Sequence, residues 1–199
     1  DDDALKNTAA EVANGKKVVL VTTHRRENQG DAMRGVGRAL GRLADEHSDV
    51  LFVLPAHKNP VVREAVLPFI DGKDNVVVTE PLAYGQFTHL ISLSNVVLTD
   101  SGGVQEEAPG LGKPVLVMRE NTERPEAVTA GTVRLIGTDE ERVYNEVTTL
   151  LTDDAAYKAM AAAVNPYGDG KAGERTAAAI AELLGVGERM AEFDDGLGN

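Results

Sequence analysis

A doubly wound α/β domain with a parallel sheet is the fold this sequence predicts, and three observations carry the expectation. Short Val- and Leu-rich runs alternate with longer stretches of helical periodicity. Several of the short runs are apolar on both faces, as strands must be when helices cover a sheet above and below. One of them, Asn95-Val96-Val97-Leu98-Thr99, passes through Asp100-Ser101-Gly102-Gly103 directly into a helical pattern. In open α/β sheets such strand-to-helix turns deliver the ligand-facing edge.

The elements follow in order. Residues 17–22, rich in Val and Leu, read as the first strand, and 32–47 as the helix that returns from it. Residues 50–54 and 75–79 are the next strands, separated by a helix over 60–69 and followed by one over 84–93. The strand at 95–99 leads into a helix over 104–111 that stops near Gly110 or Gly112. Residues 114–118 and 132–136 complete six strand candidates, with a helix over 124–130 between them. Connections this short suit right-handed crossovers. Beyond Ile136 the pattern is helical only, over 139–152, 154–164 and 171–184, which predicts a C-terminal helical flank. Residues 1–185 are thus expected to form one Rossmann-like domain, and the acidic, weakly periodic 186–199 a tail that frays.

Composition narrows the function classes. At 199 residues and 42% hydrophobic content, the chain is large enough to bury a real core. No apolar run is long enough to span a bilayer, and the opening Asp1-Asp2-Asp3-Ala4-Leu5-Lys6 lacks the basic and apolar regions of a signal peptide. The absence of cysteine excludes disulfides and thiolate metal sites, and fits a cytoplasmic protein. A net charge of −12 argues against nucleic acid or an anionic membrane as partner, since both select basic surfaces. Any anionic ligand must then be held locally. Acidic surplus, Arg in excess of Lys and few aromatics also suit a protein adapted to high salt.

Local capture of an anion is what the 100–107 segment offers. A helix start leaves about four N–H groups without intrahelical partners and carries a partial positive charge. Glycine lets an anion approach the main chain, Ser101 adds a hydroxyl, and the pair Glu106-Glu107 stands one turn on to face sugar hydroxyls. The alternative is a tight turn in which Ser101 serves as an ordinary N-cap. Other strand ends are also chemically loaded: Thr22-Thr23-His24-Arg25-Arg26-Glu27-Asn28 after the first, Pro55-Ala56-His57-Lys58-Asn59-Pro60 after the second, and Arg119 to Glu126 after the fifth.

These strings, in this order, closely resemble the C-terminal half of the non-hydrolysing UDP-N-acetylglucosamine 2-epimerases. The matching motifs are THRREN at 23–28, PAHKNP at 55–60, DSGGVQEEAPGLGKPVLVMRENTERPE at 100–126 and NPYGDGKA at 165–172, within a resemblance spanning 17–184. The resemblance implies one of the two Rossmann-like domains of a GT-B fold, with the nucleotide sugar bound in the cleft between them. It also implies interconversion of UDP-GlcNAc and UDP-ManNAc by elimination and readdition of UDP, with no cofactor and no metal. Nothing in the chain resembles the family's N-terminal half, the implied partner domain that carries most of the carboxylates acting at C2, so this chain alone is expected to be inactive. A homodimer is compatible with the full-length enzyme.

Residue by residue, the resemblance assigns Ser101, Gly102 and Gly103 to the UDP phosphates, Glu107 to the ribose hydroxyls, Phe87 to the uracil ring and Arg124 to the sugar and phosphate end. His24 matches the histidine beside the diphosphate, where an imidazolium stabilises the departing UDP. Arg25 and His57 match positions of a regulatory UDP-GlcNAc site found in some bacterial members. Each has a plainer alternative in the residues themselves. His24 suits a strand-end hydrogen bond to a carbonyl, Phe87 suits packing against Leu90 and Ile91, and Arg124 suits a surface ion pair with Glu123 or Glu126. Rival readings of the whole are a GT-B glycosyltransferase donor domain, a hydrolysing epimerase, and a stand-alone UDP-sugar binding module.

Three other patterns are rejected. Gly112-Lys113-Pro114 has Pro where a Walker A motif needs Ser or Thr, and marks a helix stop. Gly35-Val36-Gly37 begins like a dinucleotide fingerprint but lies inside a helical pattern without a third glycine. His24, His47, His57 and His89 lack metal-ligand spacing.

Overall fold

The structure is a computed structural model and describes residues 2–194. Six strands, β1 (Lys17–Thr22), β2 (Val50–Pro55), β3 (Val76–Thr79), β4 (Val96–Thr99), β5 (Val115–Val117) and β6 (Val133–Leu135), form one sheet in the order β3-β2-β1-β4-β5-β6. Every pairing is parallel, with Leu20 opposite Val53 on one side and Val97 on the other. The central strands are buried along their length, whereas β3 at the edge keeps only Thr79 fully covered. Strand order reverses between β1 and β4, and the crevice where ligands bind in such sheets lies outside their carboxyl ends.

Nine helices surround the sheet among the described residues: α1 (Asp2–Ala13), α2 (Asp31–Glu46), α3 (Pro60–Ile70), α4 (Tyr84–Leu93), α5 (Gly102–Gly110), α6 (Pro125–Ala130), α7 (Glu140–Thr152), α8 (Asp154–Ala161) and α9 (Ala172–Leu183). Alternate strand residues feed two separate cores, as a pleated sheet requires. Val19, Val21, Phe52, Leu98 and Leu116 meet α2, α3 and α7 on one face. Leu20, Val53, Val97 and Val117 meet α4, α5 and α6 on the other. Gly37 and Gly41 explain the glycine pattern in α2: a Cβ at Gly41 would stand 2.6 Å from the Phe69 carbonyl oxygen, so these glycines let α2 and α3 touch.

The departures from the sequence reading are local. Helix α1 was not expected; Leu5 and Val12 place its apolar side on the α4 face of the sheet. Helix α5 starts two residues early because Gly102 and Gly103 themselves form its first turn. Helix α8 ends at Ala161 instead of 164, ahead of Asn165-Pro166, and a residue preceding proline disfavours helix. Gly112 does act as a stop, at φ +67° just past α5. In the NPYGDGKA segment Asp169 takes two bonds from Arg175 at 2.7 and 2.9 Å, which ties the loop to α9. Of the tail, 195–199 lie outside the described residues, and 186–194 contain neither helix nor strand. Arg175 also donates to the Ala191 carbonyl and lies over the Phe193 ring. No described helix is long and apolar enough to cross a membrane.

Candidate functional site

The β1 and β4 ends are joined by one buried carboxylate. Asp100 follows β4, has no exposed side-chain surface, and turns its oxygens toward the loop after β1. Its Oδ2 accepts from the Thr23 hydroxyl at 3.0 Å, from the His24 and Arg25 N–H groups at 2.9 Å each, and from Asn28 Nδ2 at 3.4 Å. Its Oδ1 faces His24 Nδ1 at 3.0 Å. Burial pushes the Asp100 carboxyl up, but the His24 hydrogen bond and the two N–H donors more than offset it, and the net direction is down. For His24 the hydrogen bond to Asp100 dominates and raises its pKa against partial burial and the nearby Arg25 charge. His24 therefore binds a carboxylate, where the plainer reading had offered a carbonyl.

Asp100 was in the motif, but sequence reasoning passed over it as a strand end. Nothing in one sequence tells which acid of an acidic chain is buried. The clue available was position: Asp100 stands at the switch point, between the end of β4 and the Ser101-Gly102 start of α5.

Helix α5 begins beside this knot. Ser101 occupies the N-cap position with extended backbone (φ −80°, ψ 134°), yet its side chain makes no capping hydrogen bond. Its N–H is taken by the Thr99 hydroxyl at 2.9 Å, which in turn lies 2.6 Å from the Thr22 hydroxyl. Gln105, fully buried, ties its amide to the Ser101 carbonyl and to the Thr122 hydroxyl, so the α5 start and the loop after β5 are linked from beneath. Arg124 lies over Gly102, where a Cβ would meet its guanidinium at 2.9 Å and the arginine would have to shift. Arg124 pairs with Glu106, and less closely with Glu123 at 3.8 Å, instead of with Glu126. Glu107 is half-buried on the same helix, 3.8 Å from where a Gly103 Cβ would stand.

On the other side of His24, two cavities open. One of about 180 Å³ is walled by Thr22, His24, Pro55, His57, Leu82 and Phe87. Phe87 packs against the core containing Leu90 and Ile91, its plainer reading, and also lines this cavity. The second, about 460 Å³ and more polar, runs along His24, Arg25, Arg26, His57 and Asn59. The His24 and His57 rings stack with centroids 5.8 Å apart and planes 26° from parallel. His57 Nδ1 accepts from the Asn59 N–H at 3.2 Å. Ser101, Gly102, Gly103, Glu107 and Arg124 line neither cavity.

The loop after β5 is held by a second knot. Arg119, 8% exposed, bonds Glu27 at 2.8 Å and both oxygens of Glu123 at 2.8 and 2.9 Å. The Arg119 hydrogen bonds hold the Glu123 carboxyl at about 2. Among the described residues no three His, Cys, Asp or Glu side chains group so as to hold a metal ion.

Comparison with known proteins gives these residues their context. The family model for UDP-N-acetylglucosamine 2-epimerase matches residues 2–181. The UDP-N-acetylglucosamine 2-epimerase of Escherichia coli K12 is 53% identical over 165 residues, covering 83% of this chain and 44% of that protein. In structure, the chain superposes on the Staphylococcus aureus MnaA–UDP complex with a TM-score of 0.86 at 42% identity, over 98% of this chain and 53% of that one. The Neisseria meningitidis UDP-GlcNAc 2-epimerase bound to UDP-GlcNAc gives 0.79 at 44% identity, over 86% and 45%. The chain spans about half the length of the relatives it matches.

Proposed function

The chain belongs to the UDP-N-acetylglucosamine 2-epimerase family, and on that premise we propose that it is the UDP-gripping half of an enzyme interconverting UDP-GlcNAc and UDP-ManNAc. The observation that carries the reading is the α5 N-terminus at the switch point, with Ser101 Oγ uncommitted to a cap and Arg124 poised above Gly102. Ser101 Oγ and the Gly102 and Gly103 N–H groups take the diphosphate, the Ser101 N–H being already used. Glu107 takes the ribose hydroxyls, Phe87 meets the uracil ring, and Arg124 lies at the sugar and phosphate end.

His24, whose cationic form the Asp100 hydrogen bond favours, stabilises the charge that grows as UDP leaves C1. A base removes the C2 proton, the C1–O bond to UDP breaks to leave a 2-acetamidoglucal, and UDP returns to C1 after reprotonation on the other face. The proton-handling carboxylates belong to an N-terminal domain that the relatives have and this chain does not span. Helix α9 supports the same division, for it buries no residue and leaves Ile180, Leu183 and Leu184 uncovered for another domain to pack on. Arg25 and His57 form the wall of a regulatory nucleotide-sugar site in the 460 Å³ groove.

Two measurements test the reading. The 199-residue chain should bind UDP more tightly than ADP in titration calorimetry; equal affinities would remove Phe87 from the uracil site. It should neither exchange the C2 hydrogen of UDP-GlcNAc in deuterated water nor form UDP-ManNAc, while a protein carrying both halves does both. Exchange by this chain alone would place a base within it and end the division of labour.

A further inference from the structure

The Asp100–His24 contact has a consequence for which end of the imidazole does the work. We propose that Asp100 is a positioning residue that holds His24 by Nδ1, so that Nε2 is the ring nitrogen that gives and recovers a proton at this edge of the sheet. This rests on the reading of His24 as the residue facing a bound diphosphate. Asp100 is ionised and can only accept, and its Oδ1 lies 3.0 Å from Nδ1, so Nδ1 carries a proton whether the ring is charged or neutral. Donors from Thr23, Arg25 and Asn28 fill Oδ2, which prevents the carboxylate from turning away. The backbone N–H of His24 is bonded to both oxygens, so main chain and ring are fixed by the same group.

The cation then donates from Nε2 to the anion. Loss of that proton to the departing phosphate oxygen leaves the neutral Nδ1–H ring still bonded to Asp100, and no proton passes to Asp100. The groups around the ring are Asp100 from the β4 end, Arg25 on its own loop, and His57 from the β2–α3 loop, with Arg26 and Glu27 along the adjoining groove. His57 supplies an internal contrast. Its Nδ1 accepts from the Asn59 N–H, so its neutral form must carry the proton on Nε2, the opposite tautomer in a ring stacked on His24.

Proton–nitrogen correlation spectra of the 15N-labelled 199-residue chain, recorded from about pH 5 to 9, read both tautomers directly. The expected result is neutral His24 protonated at Nδ1 and neutral His57 at Nε2; neutral His24 protonated at Nε2 overturns the proposal without reference to any nucleotide. In Asp100→Asn the His24 midpoint should fall by about one pH unit and the Nδ1 preference should vanish. A folded Asp100→Asn with both unchanged also overturns it, and should that variant not fold, the wild-type tautomer decides alone. UDP affinity of the wild-type chain should drop several-fold as pH rises through the His24 midpoint. If His24 is found as the Nδ1–H tautomer but UDP affinity is flat, the diphosphate-facing reading of His24 fails and the hold of Asp100 on the ring stands.

Discussion

The two cations beside the α5 N-terminus are held in opposite ways. His24 is bound by a carboxylate with no exposed surface, which also organises the main chain of its loop. Arg124 is bound by Glu106, 45% exposed, and Glu123, 58% exposed. Although the His24 side chain is 41% exposed, its carboxylate is not, and a contact to a buried carboxylate is costly to break because that carboxylate is left charged and dry, whereas one to a surface carboxylate exchanges with water at little cost. The difference separates a fixed group from one that can be redirected. His24 is preorganised before any ligand arrives; Arg124 rests on a surface glutamate that an incoming phosphate can replace.

Removing each carboxylate gives the largest contrast. Asp100→Ala should destabilise the chain by about 3–5 kcal/mol in urea unfolding, because the cation and several N–H and O–H donors lose a buried acceptor together. Glu106→Ala should change stability by less than about 1 kcal/mol. Similar values for the two would mean that burial of Asp100 is not what distinguishes the contacts.

Ligand binding should invert the ranking of the surface pair. Arg124→Ala should weaken UDP binding by about 1.5–3 kcal/mol, the usual range for a hydrogen bond to a charged group. Glu106→Gln should strengthen it modestly, since the guanidinium no longer has to leave a carboxylate. Weaker UDP binding by Glu106→Gln would show that Glu106 orients Arg124 for the ligand, and the idea of a redirectable cation would be lost.

Much of the fold was legible in the sequence, while the two carboxylates that make this contrast were not, for physical reasons. The all-parallel sheet followed from β1, β4 and β5 being apolar on both faces, and the ligand edge from the polar strings at their ends. Helix α1 was missed because its Leu5 and Val12 are spaced among Ala and charged residues, too sparse a stripe to read without the α4 face it packs on. Ser101 was correctly placed at a helix start, but whether its hydroxyl caps the helix depends on a rotamer, not on a residue type. Of the chain neighbours Glu123 and Glu126, Arg124 does meet Glu123, at 3.8 Å, but the turn of the chain brings a closer partner, Glu106, 18 residues away in sequence.

The pH dependence of stability tests the fixed side of the comparison. His24 has a raised pKa, so its contribution is complete below its ordinary value of 6.5 and is lost as pH rises through the raised value. Asp100 has a lowered pKa, so its contribution is present above its ordinary 3.8 and is lost as pH falls through the lowered value. The pair therefore contributes most between 3.8 and 6.5. The difference in melting temperature between the chain and His24→Asn should be largest in that window and shrink on the alkaline side. A difference independent of pH would mean that the ring contributes packing alone.

Salt produces the smallest effect and acts on both sides of the comparison at once. At about 1 M KCl the screening length falls to roughly 3 Å, so contacts open to solvent lose most of their Coulombic attraction while buried ones keep theirs. The Arg124–Glu106 contact should then contribute nothing measurable, and Glu106→Ala should melt with the parent chain. The His24 midpoint, read by NMR, should move less than that of a surface pair would, because the carboxylate is buried even though the imidazole is 41% exposed. The parent chain itself carries a charge of −12, and screening of its self-repulsion should raise its melting temperature even as the surface pair is lost. A melting temperature indifferent to KCl would show that the acidic surplus imposes no strain that salt relieves. A His24 midpoint that fell toward its ordinary value in KCl would show that solvent reaches the Asp100 contact, and the two cations would then differ only in degree.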